Sequence, residues 1–310
     1  MSTTVAVVGG GYAGATAAKA LDDIADVILI EPRDAFVHNV AALRVLVDPD
    51  WAGRLFLPYD RLLTRGRVVR DRAVQLDASG VTLGSGERIT SDYTVLATGS
   101  TYPFPAKVDV TDSAEARAKL RITHDALAKA SGVLLLGAGP AGLELAGEIK
   151  SAWPDKSVTL VDPAADILQS IGLPGELRTE LHSQLRALGV TLLLGTTLRD
   201  APPSPPGRVG GFRVTTASGE RISADIWFRC YGVMPTSDYL DDNLAAAREP
   251  EGHIQVDADL RLPGHTNIFA IGDVTAIPEA KMAKAAERQA SVAAANIRTL
   301  ISGGDDLTPY

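Results

Sequence analysis

The fold of this chain is decided by the stretch Val5-Ala6-Val7-Val8-Gly9-Gly10-Gly11-Tyr12-Ala13-Gly14. Its four leading apolar residues are typical of a buried parallel strand, and the alanine-rich run that follows is typical of a helix packed closely on a sheet. The glycines have separate tasks: Gly9 makes a tight turn, Gly11 lets the backbone approach a pyrophosphate, and Gly14 lets helix and strand pack together. Phosphates bind the free N–H groups at the start of such a helix. The stretch therefore predicts a dinucleotide-binding turn.

A second strand completes this unit. Residues 27–30 form another apolar run, and Glu31 follows it directly. A carboxylate at that position can accept hydrogen bonds from the ribose hydroxyls of an adenosine. The N-terminal segment thus contains strand, glycine turn, helix, strand and acid in the order that a Rossmann-like unit requires.

The same order recurs later in the chain. A strand is predicted over residues 133–136, the turn reads Gly137-Ala138-Gly139-Pro140-Ala141-Gly142, a helix covers residues 142–151, and a strand over 158–161 ends at Asp162. Either copy alone is compatible with an ordinary glycine-rich turn, but two complete copies predict two bound dinucleotides.

Asp162 bears on the choice of cofactor in the second unit. A carboxylate at that strand end would repel the 2′-phosphate of NADPH, so the sequence favours NADH over NADPH. A solvated strand end is the alternative interpretation.

The composition narrows the class of protein. The hydrophobic fraction of 45% and the charged fraction of 22% are those of an ordinary globular protein. A formal net charge of −8 argues against a nucleic-acid partner, which would require a basic surface. No apolar run approaches the roughly 18 residues that span a bilayer, and the N-terminus predicts neither a signal peptide nor a myristoylated glycine. We therefore expect a cytoplasmic protein, with peripheral membrane contact left open.

The cysteines and histidines of the sequence argue against a dithiol relay and against a metal site. Cys230 is the one cysteine, so the Cys-x-x-Cys pair of the disulfide reductases is absent. Its apolar neighbours predict a buried strand thiol rather than a reactive one. The histidines lack the spacing of metal ligands, and no metal site is expected.

Length and motif order predict the domain arrangement. At 310 residues the chain is long enough for about two domains. A strand over residues 94–97 leads to Thr98-Gly99, and a short buried strand closes on Gly272-Asp273 ahead of a long helix over 282–302. We predict an α/β protein with two Rossmann-like dinucleotide-binding domains, one inserted in the other. The expected limits are 1–110 and 237–302 for the first domain, 111–236 for the inserted domain and 303–310 for a C-terminal tail.

Further stretches of the sequence resemble a known family. Together with the glycine motifs, they resemble the two-dinucleotide flavin oxidoreductases of the pyridine nucleotide-disulfide oxidoreductase superfamily, and within it the ferroptosis-suppressor and apoptosis-inducing-factor-like NAD(P)H:quinone oxidoreductases. The similarity covers nearly the whole chain. Because no glycine follows Met1 and the sequence ends at Tyr310, the lipid anchor and the extra C-terminal segment of animal members are not matched. The resembling stretches are Phe36-Val37-His38-Asn39-Val40-Ala41-Ala42-Leu43-Arg44, Leu96-Ala97-Thr98-Gly99-Ser100-Thr101-Tyr102-Pro103-Phe104-Pro105, Gly142-Leu143-Glu144-Leu145-Ala146-Gly147-Glu148-Ile149-Lys150 and Lys281-Met282-Ala283.

The resemblance implies that FAD occupies the first unit and NAD(P)H the inserted one. Hydride would pass from NADH to the flavin, and two electrons would then pass to a quinone-type acceptor. The residues expected to bind FAD are Gly9, Gly11, Ala13, Gly14, Glu31, Arg44, Val74, Thr98, Gly99, Gly272, Asp273, Lys281, Met282 and Ala283. Those expected to bind NADH are Gly137, Gly139, Gly142, Glu144, Asp162, Gly232 and Pro235.

Three residues are candidates for a part in the chemistry. Lys281 precedes the long helix, whose N-terminus favours negative charge on a reduced flavin; a solvated lysine is the alternative. Glu144 resembles the family glutamate that contacts the nicotinamide half of NADH, with an acid in the first helical turn as the alternative. His38 would give a proton to the leaving quinol or serve as a hydrogen-bonded spacer. For Arg44, which is expected to bind FAD, the sequence favours a fork for FAD phosphate or an active-site wall, with half of a surface ion pair as the alternative.

Two other functions compete with the quinone reductase. A reductase of an iron–sulfur protein needs a surface for an acidic partner, which the net charge of −8 disfavours. A protein in which NADH triggers a conformational or oligomeric change would need no efficient acceptor. The patterns determine neither the acceptor nor the oligomeric state.

Overall fold

A parallel sheet at the centre of the first unit is built from both ends of the chain. The structure of the protein is a computed structural model, which describes residues 3–169 and 171–310. Neighbouring strands of this sheet run parallel, with Val5 opposite Val27 on one side and opposite Tyr93 on the other. In spatial order the strands are β18 (Ile268–Ala270), β9 (Tyr93–Leu96), β1 (Thr4–Val8), β2 (Asp26–Ile30) and β5 (Arg67–Val69).

A second parallel sheet is formed by the middle of the chain. All of its strands come after β9 and before β18 in the sequence, so the chain leaves the first sheet, builds the second and returns. In spatial order they are β13 (Val190–Leu194), β12 (Ser157–Asp162), β11 (Gly132–Leu136) and β16 (Ile226–Arg229). The prediction of two Rossmann-like α/β units, one inserted in the other, is confirmed. The residue limits of the two domains stay predictions.

Helices cover the sheets. Alanine-rich α1 (Tyr12–Leu21) packs against alanine-rich α7 (Ala283–Ile301), because small side chains allow two helices and the sheet beneath them to approach closely. The helices are α1 (Tyr12–Leu21), α2 (Ala42–Val45), α3 (Ala52–Leu55), α4 (Ser113–Lys129), α5 (Pro140–Ala152), α6 (Gly175–Ala187) and α7 (Ala283–Ile301).

Small antiparallel sheets complete the fold, and one of them joins the two units. The pair of β10 (Ser100–Thr101) and β17 (Met234–Pro235) places Ser100 opposite Pro235 and thereby ties the segment after β9 to the segment after β16. The remaining strands are β3 (Ala35–Val37) with β4 (Phe56–Pro58), β6 (Ala73–Asp77) with β7 (Gly80–Leu83) and β8 (Arg88–Thr90), β10 (Ser100–Thr101) with β17 (Met234–Pro235), and β14 (Phe212–Thr215) with β15 (Arg221–Ala224).

The two sheets lie in the hydrophobic core and the C-terminal residues pack on the surface. Phe228 of β16 and Phe269 of β18 are completely buried. The predicted tail is anchored: the Thr308 N–H donates to Asn296 Oδ1 at 2.8 Å, and the Tyr310 hydroxyl donates to Glu279 Oε1 at 2.7 Å. Among the described residues, no helix combines the length and hydropathy needed to cross a membrane.

Candidate functional site

The first glycine-rich turn joins β1 to α1. Gly9 has a φ of +101°, and a Cβ on it would lie 2.5 Å from the carbonyl oxygen of Ala97. A Cβ on Gly14 would lie 1.8 Å from the carbonyl oxygen of Gly9. Both positions therefore require glycine for the turn and for helix–strand packing, as predicted. A Cβ on Gly11, in contrast, would meet no atom within 4 Å, so this position faces open space.

The second glycine-rich turn, between β11 and α5, repeats this geometry. Gly137 has a φ of +116°, and a Cβ on it would lie 2.6 Å from the carbonyl oxygen of Cys230. A Cβ on Gly142 would lie 1.9 Å from the carbonyl oxygen of Gly137, whereas Gly139 faces open space. The two units thus share one design at their turns.

Both turns fit a pyrophosphate. Gly11 caps α1 and Gly139 caps α5, and neither offers a side chain to the N–H groups of the first helical turn. Free N–H groups and the helix dipole favour an anion there, and the space in front of each glycine would be narrowed by any side chain. The FAD that the sequence resemblance implies would, when bound, supply the ring that accepts hydride from NAD(P)H and passes electrons onward.

An acid at the end of the second strand braces each turn. Glu31 is buried, and its Oε2 accepts a hydrogen bond from the Gly10 N–H at 2.7 Å. Asp162 holds the equivalent position, and its Oδ2 accepts from the Ala138 N–H at 2.5 Å. The structure therefore brings both predicted ribose-binding acids to their glycine turns.

The turn that ends in Asp273 meets the first glycine-rich turn. Gly272 has a φ of +80°, and its N–H donates to the buried Gln289 Oε1 of α7 at 2.7 Å. A Cβ on Gly272 would lie 3.1 Å from the Cβ of Ala13. Met282 caps α7, and Ala283 is its first residue. The structure therefore brings the predicted FAD residues Gly272 and Ala13 together, next to α7.

A network that sequence reasoning missed surrounds Asp273. Its Oδ2 accepts a hydrogen bond from Ser100 Oγ at 2.7 Å and lies 3.1 Å from Lys107 Nζ. Lys107 follows a segment of turns and prolines, and no local pattern distinguishes it from a surface lysine.

Thr98 and Gly99 connect the first unit to the return of the chain from the second. Thr98 Oγ1 donates to the Thr236 carbonyl at 2.5 Å, and the Gly99 carbonyl accepts from the Thr236 N–H at 3.0 Å. Of the predicted NADH residues nearby, Gly232 has a φ of +95° and Pro235 lies in β17. These hydrogen bonds tie the segment after β9 to the segment after β16.

His38 forms a hydrogen-bonded pair with a tyrosine from the first turn. Its Nδ1 lies 3.0 Å from the Tyr12 hydroxyl, which also accepts from the Val40 N–H at 3.3 Å. Burial raises the pKa of Tyr12, so the phenol keeps its proton. A cleft of about 330 Å³, lined in part by Tyr12, Phe36 and Leu57, opens beside the tyrosine of this pair.

Lys281 is fixed by main-chain carbonyls. Its Nζ donates to Thr275 at 2.7 Å and to Ile277 at 2.9 Å. Burial lowers the pKa of Lys281, and the nearby charge of Asp273 opposes that shift. The lysine predicted at the start of α7 is therefore held rather than fully solvated.

Arg44 of α2 and Glu144 of α5 both interact with Glu148, which lies one helical turn after Glu144. Arg44 Nε lies 2.9 Å from Glu148 Oε2, which joins α2 to α5 as an ion pair, the second of the two predicted alternatives. Partial burial, and then the charge of Glu148, raise the pKa of Glu144. The alternative that Glu144 is an acid of the first helical turn is wrong, because α5 begins at Pro140 and no acid lies in its first turn.

Val74, which is expected to bind FAD, lies in β6, outside both parallel sheets, with its side chain exposed. Cys230 is buried as predicted, and burial raises the pKa of its thiol to about 12, so it is neither a thiolate nucleophile nor a dithiol partner.

Two glycine turns that fit a pyrophosphate, on two connected parallel sheets, define the class as an α/β protein for two dinucleotides. The family model for pyridine nucleotide-disulphide oxidoreductases matches residues 3–294. The chain belongs to this family, and it uses FAD and NAD(P)H.

Two relatives are similar to this chain in sequence, and a solved structure is similar to it in fold. Ferroptosis suppressor protein 1 of Xenopus tropicalis is 32% identical, with 97% of this chain and 82% of that protein covered. Apoptosis-inducing factor homolog B of Dictyostelium discoideum is 27% identical, covering 96% of this chain and 81% of that protein. A ferredoxin reductase structure from Rhodopseudomonas palustris superposes with a TM-score of 0.77 at 21% identity, covering 99% of this chain and 78% of that one.

Proposed function

We propose that this chain transfers hydride from NADH to bound FAD and then two electrons from the flavin to a quinone-type acceptor. The observation that carries the proposal is the pair of glycine turns on sheets joined by the β10–β17 crossing. A donor nucleotide on one sheet and a flavin on the other can meet at that junction. The resemblance to NAD(P)H:quinone oxidoreductases supports the quinone as acceptor.

The absence of a thiol relay also supports a freely diffusing acceptor. Disulfide reductases pass electrons through a pair of cysteines, whereas this sequence contains one cysteine, and that residue is buried. The electrons must then leave the flavin directly. Quinones accept a hydride equivalent or two electrons with protons, and they need no covalent partner on the protein.

We assign the roles of the predicted residues as follows. The first turn, Glu31 and Asp273 hold FAD, and the second turn with Asp162 holds NADH. Glu144 faces the nicotinamide half of NADH. His38, paired with Tyr12, gives a proton to the reduced acceptor. The cytoplasmic location and the proposed domain limits stay predictions.

Anaerobic stopped-flow spectroscopy tests the proposal. We expect NADH to bleach the flavin absorbance of the purified holoprotein rapidly, and short-chain quinones to restore it in a second, separate step. Reoxidation only by a ferredoxin would instead identify an iron–sulfur reductase. A long-lived charge-transfer complex that no acceptor discharges would indicate the NADH-responsive protein.

A variant pair tests the role of His38. His38→Gln and Tyr12→Phe should slow reoxidation by quinone while leaving flavin reduction by NADH unchanged, because the proton is needed only in the second step. Equal slowing of both steps would contradict a proton-donating role.

A further inference from the structure

The carboxylate of Asp273 is held by a lysine outside the motifs. Lys107 Nζ lies 3.1 Å from Asp273 Oδ2, and it donates to Ser100 Oγ at 2.7 Å and to the Ser100 carbonyl at 2.8 Å. An ammonium group has three N–H donors, so these contacts engage all of them. The side chains of Lys107 and Asp273 are 26% and 21% exposed, so solvent and salt screen the pair only in part.

Two lysines carry a positive charge near Asp273, but they differ in whether they touch its carboxylate. The charge of Lys281 interacts with Asp273, but its Nζ is engaged by the carbonyls of Thr275 and Ile277. Lys107 is the cation that touches the carboxylate. It contacts Oδ2, the same oxygen that accepts from Ser100, so the carboxylate is oriented without the use of Oδ1.

We propose that Lys107 is a positioning residue for the flavin. It fixes Asp273 on the turn that meets the start of α1, and it keeps a positive charge beside the FAD-binding turns. Its contact with Asp273 links the segment between β10 and α4 to the turn before α7 across 166 residues of sequence. The inference rests on FAD binding to the first unit and is independent of the acceptor.

Loss of the Lys107 charge should lower both the affinity for FAD and the midpoint potential of the bound flavin. Without Lys107 the Asp273 carboxylate is less well oriented, so FAD binds more weakly. A fixed positive charge favours the more negative, reduced form of a flavin, so its removal lowers the midpoint potential. An uncompensated Asp273 would lower the potential further in the same direction.

The experiment compares Lys107→Met, Lys107→Gln and Lys107→Arg with the wild type. FAD affinity is measured by titrating the apoprotein while following flavin fluorescence, and the midpoint potential by equilibration with a reference dye. Lys107→Met should bind FAD about tenfold more weakly and lower the potential by about 30 mV, the equivalent of tenfold for a two-electron couple. Lys107→Arg should restore most of the potential because it keeps the charge.

Lys119→Met is the matched control. Lys119 forms a surface ion pair with Asp109 at 2.6 Å, so its loss removes a similar contact away from the glycine turns. Neither FAD affinity nor potential should change. Lys107→Gln retains hydrogen-bonding capacity without charge, and it should show the lower potential even if Lys107→Met folds poorly.

A double-variant cycle separates positioning from general stability. If Lys107 acts through Asp273, the variant Lys107→Met with Asp273→Asn should bind FAD no more weakly than Asp273→Asn alone. Additive losses, or a Lys107→Met protein with wild-type affinity and potential, would overturn the inference. These readouts involve no acceptor, so they stand even if quinones are not reduced.

Discussion

The main-chain N–H of Ala138 donates a hydrogen bond to the Asp162 carboxylate at 2.5 Å. The residue expected to select the nucleotide thus also braces the glycine turn that binds it. Its second carboxylate oxygen accepts from the Ala164 N–H at 2.7 Å. A substitution at Asp162 therefore changes two properties, the charge that faces the ribose and the support of the turn, and the two can be separated.

Asp162→Asn should relax cofactor selectivity while preserving the turn. The amide keeps its one acceptor oxygen for the Ala138 N–H, gives up the contact with the Ala164 N–H, and removes the charge that repels a 2′-phosphate. We expect the ratio of NADH to NADPH efficiency in flavin reduction to fall about tenfold, which corresponds to about 1.4 kcal/mol. Anaerobic stopped-flow reduction with each nucleotide measures this ratio.

Asp162→Ala is the comparison for the structural effect. It should change selectivity similarly and also lower thermal stability, because an unpaired buried N–H costs about 1–3 kcal/mol. A wild-type selectivity ratio in both variants would refute the assignment of Asp162.

Two neighbouring glycines should respond differently to one added methyl group. Gly139→Ala places its Cβ in open space at an extended backbone conformation, so the protein should fold and bind FAD but bind NADH more weakly. Gly142→Ala places its Cβ 1.9 Å from the Gly137 carbonyl oxygen, so it should lower the melting temperature. Fluorescence titration with NADH and thermal melting distinguish the two effects. Equal NADH affinity of Gly139→Ala and wild type would argue against nucleotide binding at this turn.

The ion pair between Arg44 and Glu148 should contribute little to stability. Arg44 is 45% exposed, and pairs of this kind contribute about 0.5 kcal/mol. A double-mutant cycle with Arg44→Met and Glu148→Gln, measured by chemical denaturation, should give a coupling of that size. Removal of Glu148 should also lower the pKa of Glu144, since the charge of Glu148 raises it. A coupling energy several times larger would mean that the pair is effectively desolvated.

Asp225 should make the stability of the second unit depend on pH. Its carboxylate accepts hydrogen bonds from the N–H groups of Gly132 at 2.9 Å and Ser131 at 2.8 Å, which lower the pKa of Asp225. Because the folded pKa lies below the unfolded one, the stabilisation is present above about pH 4 and is lost as the pH falls through the folded value.

Asp225→Asn should therefore be less stable than wild type at neutral pH by about 1 kcal/mol, a modest value because solvent screens the partly exposed carboxylate. The difference should shrink below about pH 4 in denaturation curves. The exposed Asp242→Asn variant serves as the control and should match the wild type. A difference that persists unchanged into acid would contradict the role of the Asp225 charge.

Much of the fold could be predicted because its signals are local. Apolar runs and glycine turns placed β1, β2, β11 and β12 to within a residue or two at each end. Helix starts are encoded less locally: the sequence predicts α5 from Gly142, but the helix begins at Pro140, because proline at the first position of a helix lacks only an N–H that would be unpaired there anyway. That shift of two residues moved Glu144 out of the first turn.

Contacts between distant segments could not be predicted. Lys107 and Asp273 are 166 residues apart, and neither sequence neighbourhood indicates that they meet. For the same reason the sequence does not predict three other contacts: Glu148 with Arg44, the main-chain carbonyls with Lys281, and Tyr12 with His38. Each depends on how loops from different strands are brought together.

The sequence by itself determined that this chain has two dinucleotide-binding turns, since a positive φ at Gly9 and Gly137 and close packing at Gly14 and Gly142 demand glycine at fixed spacing. Only the tertiary structure decided which charges surround them. The reason is that a hydrogen-bonded turn is encoded within a few residues, whereas an ion pair such as Lys107 with Asp273 exists only after the chain has built the inserted unit and returned to the first sheet.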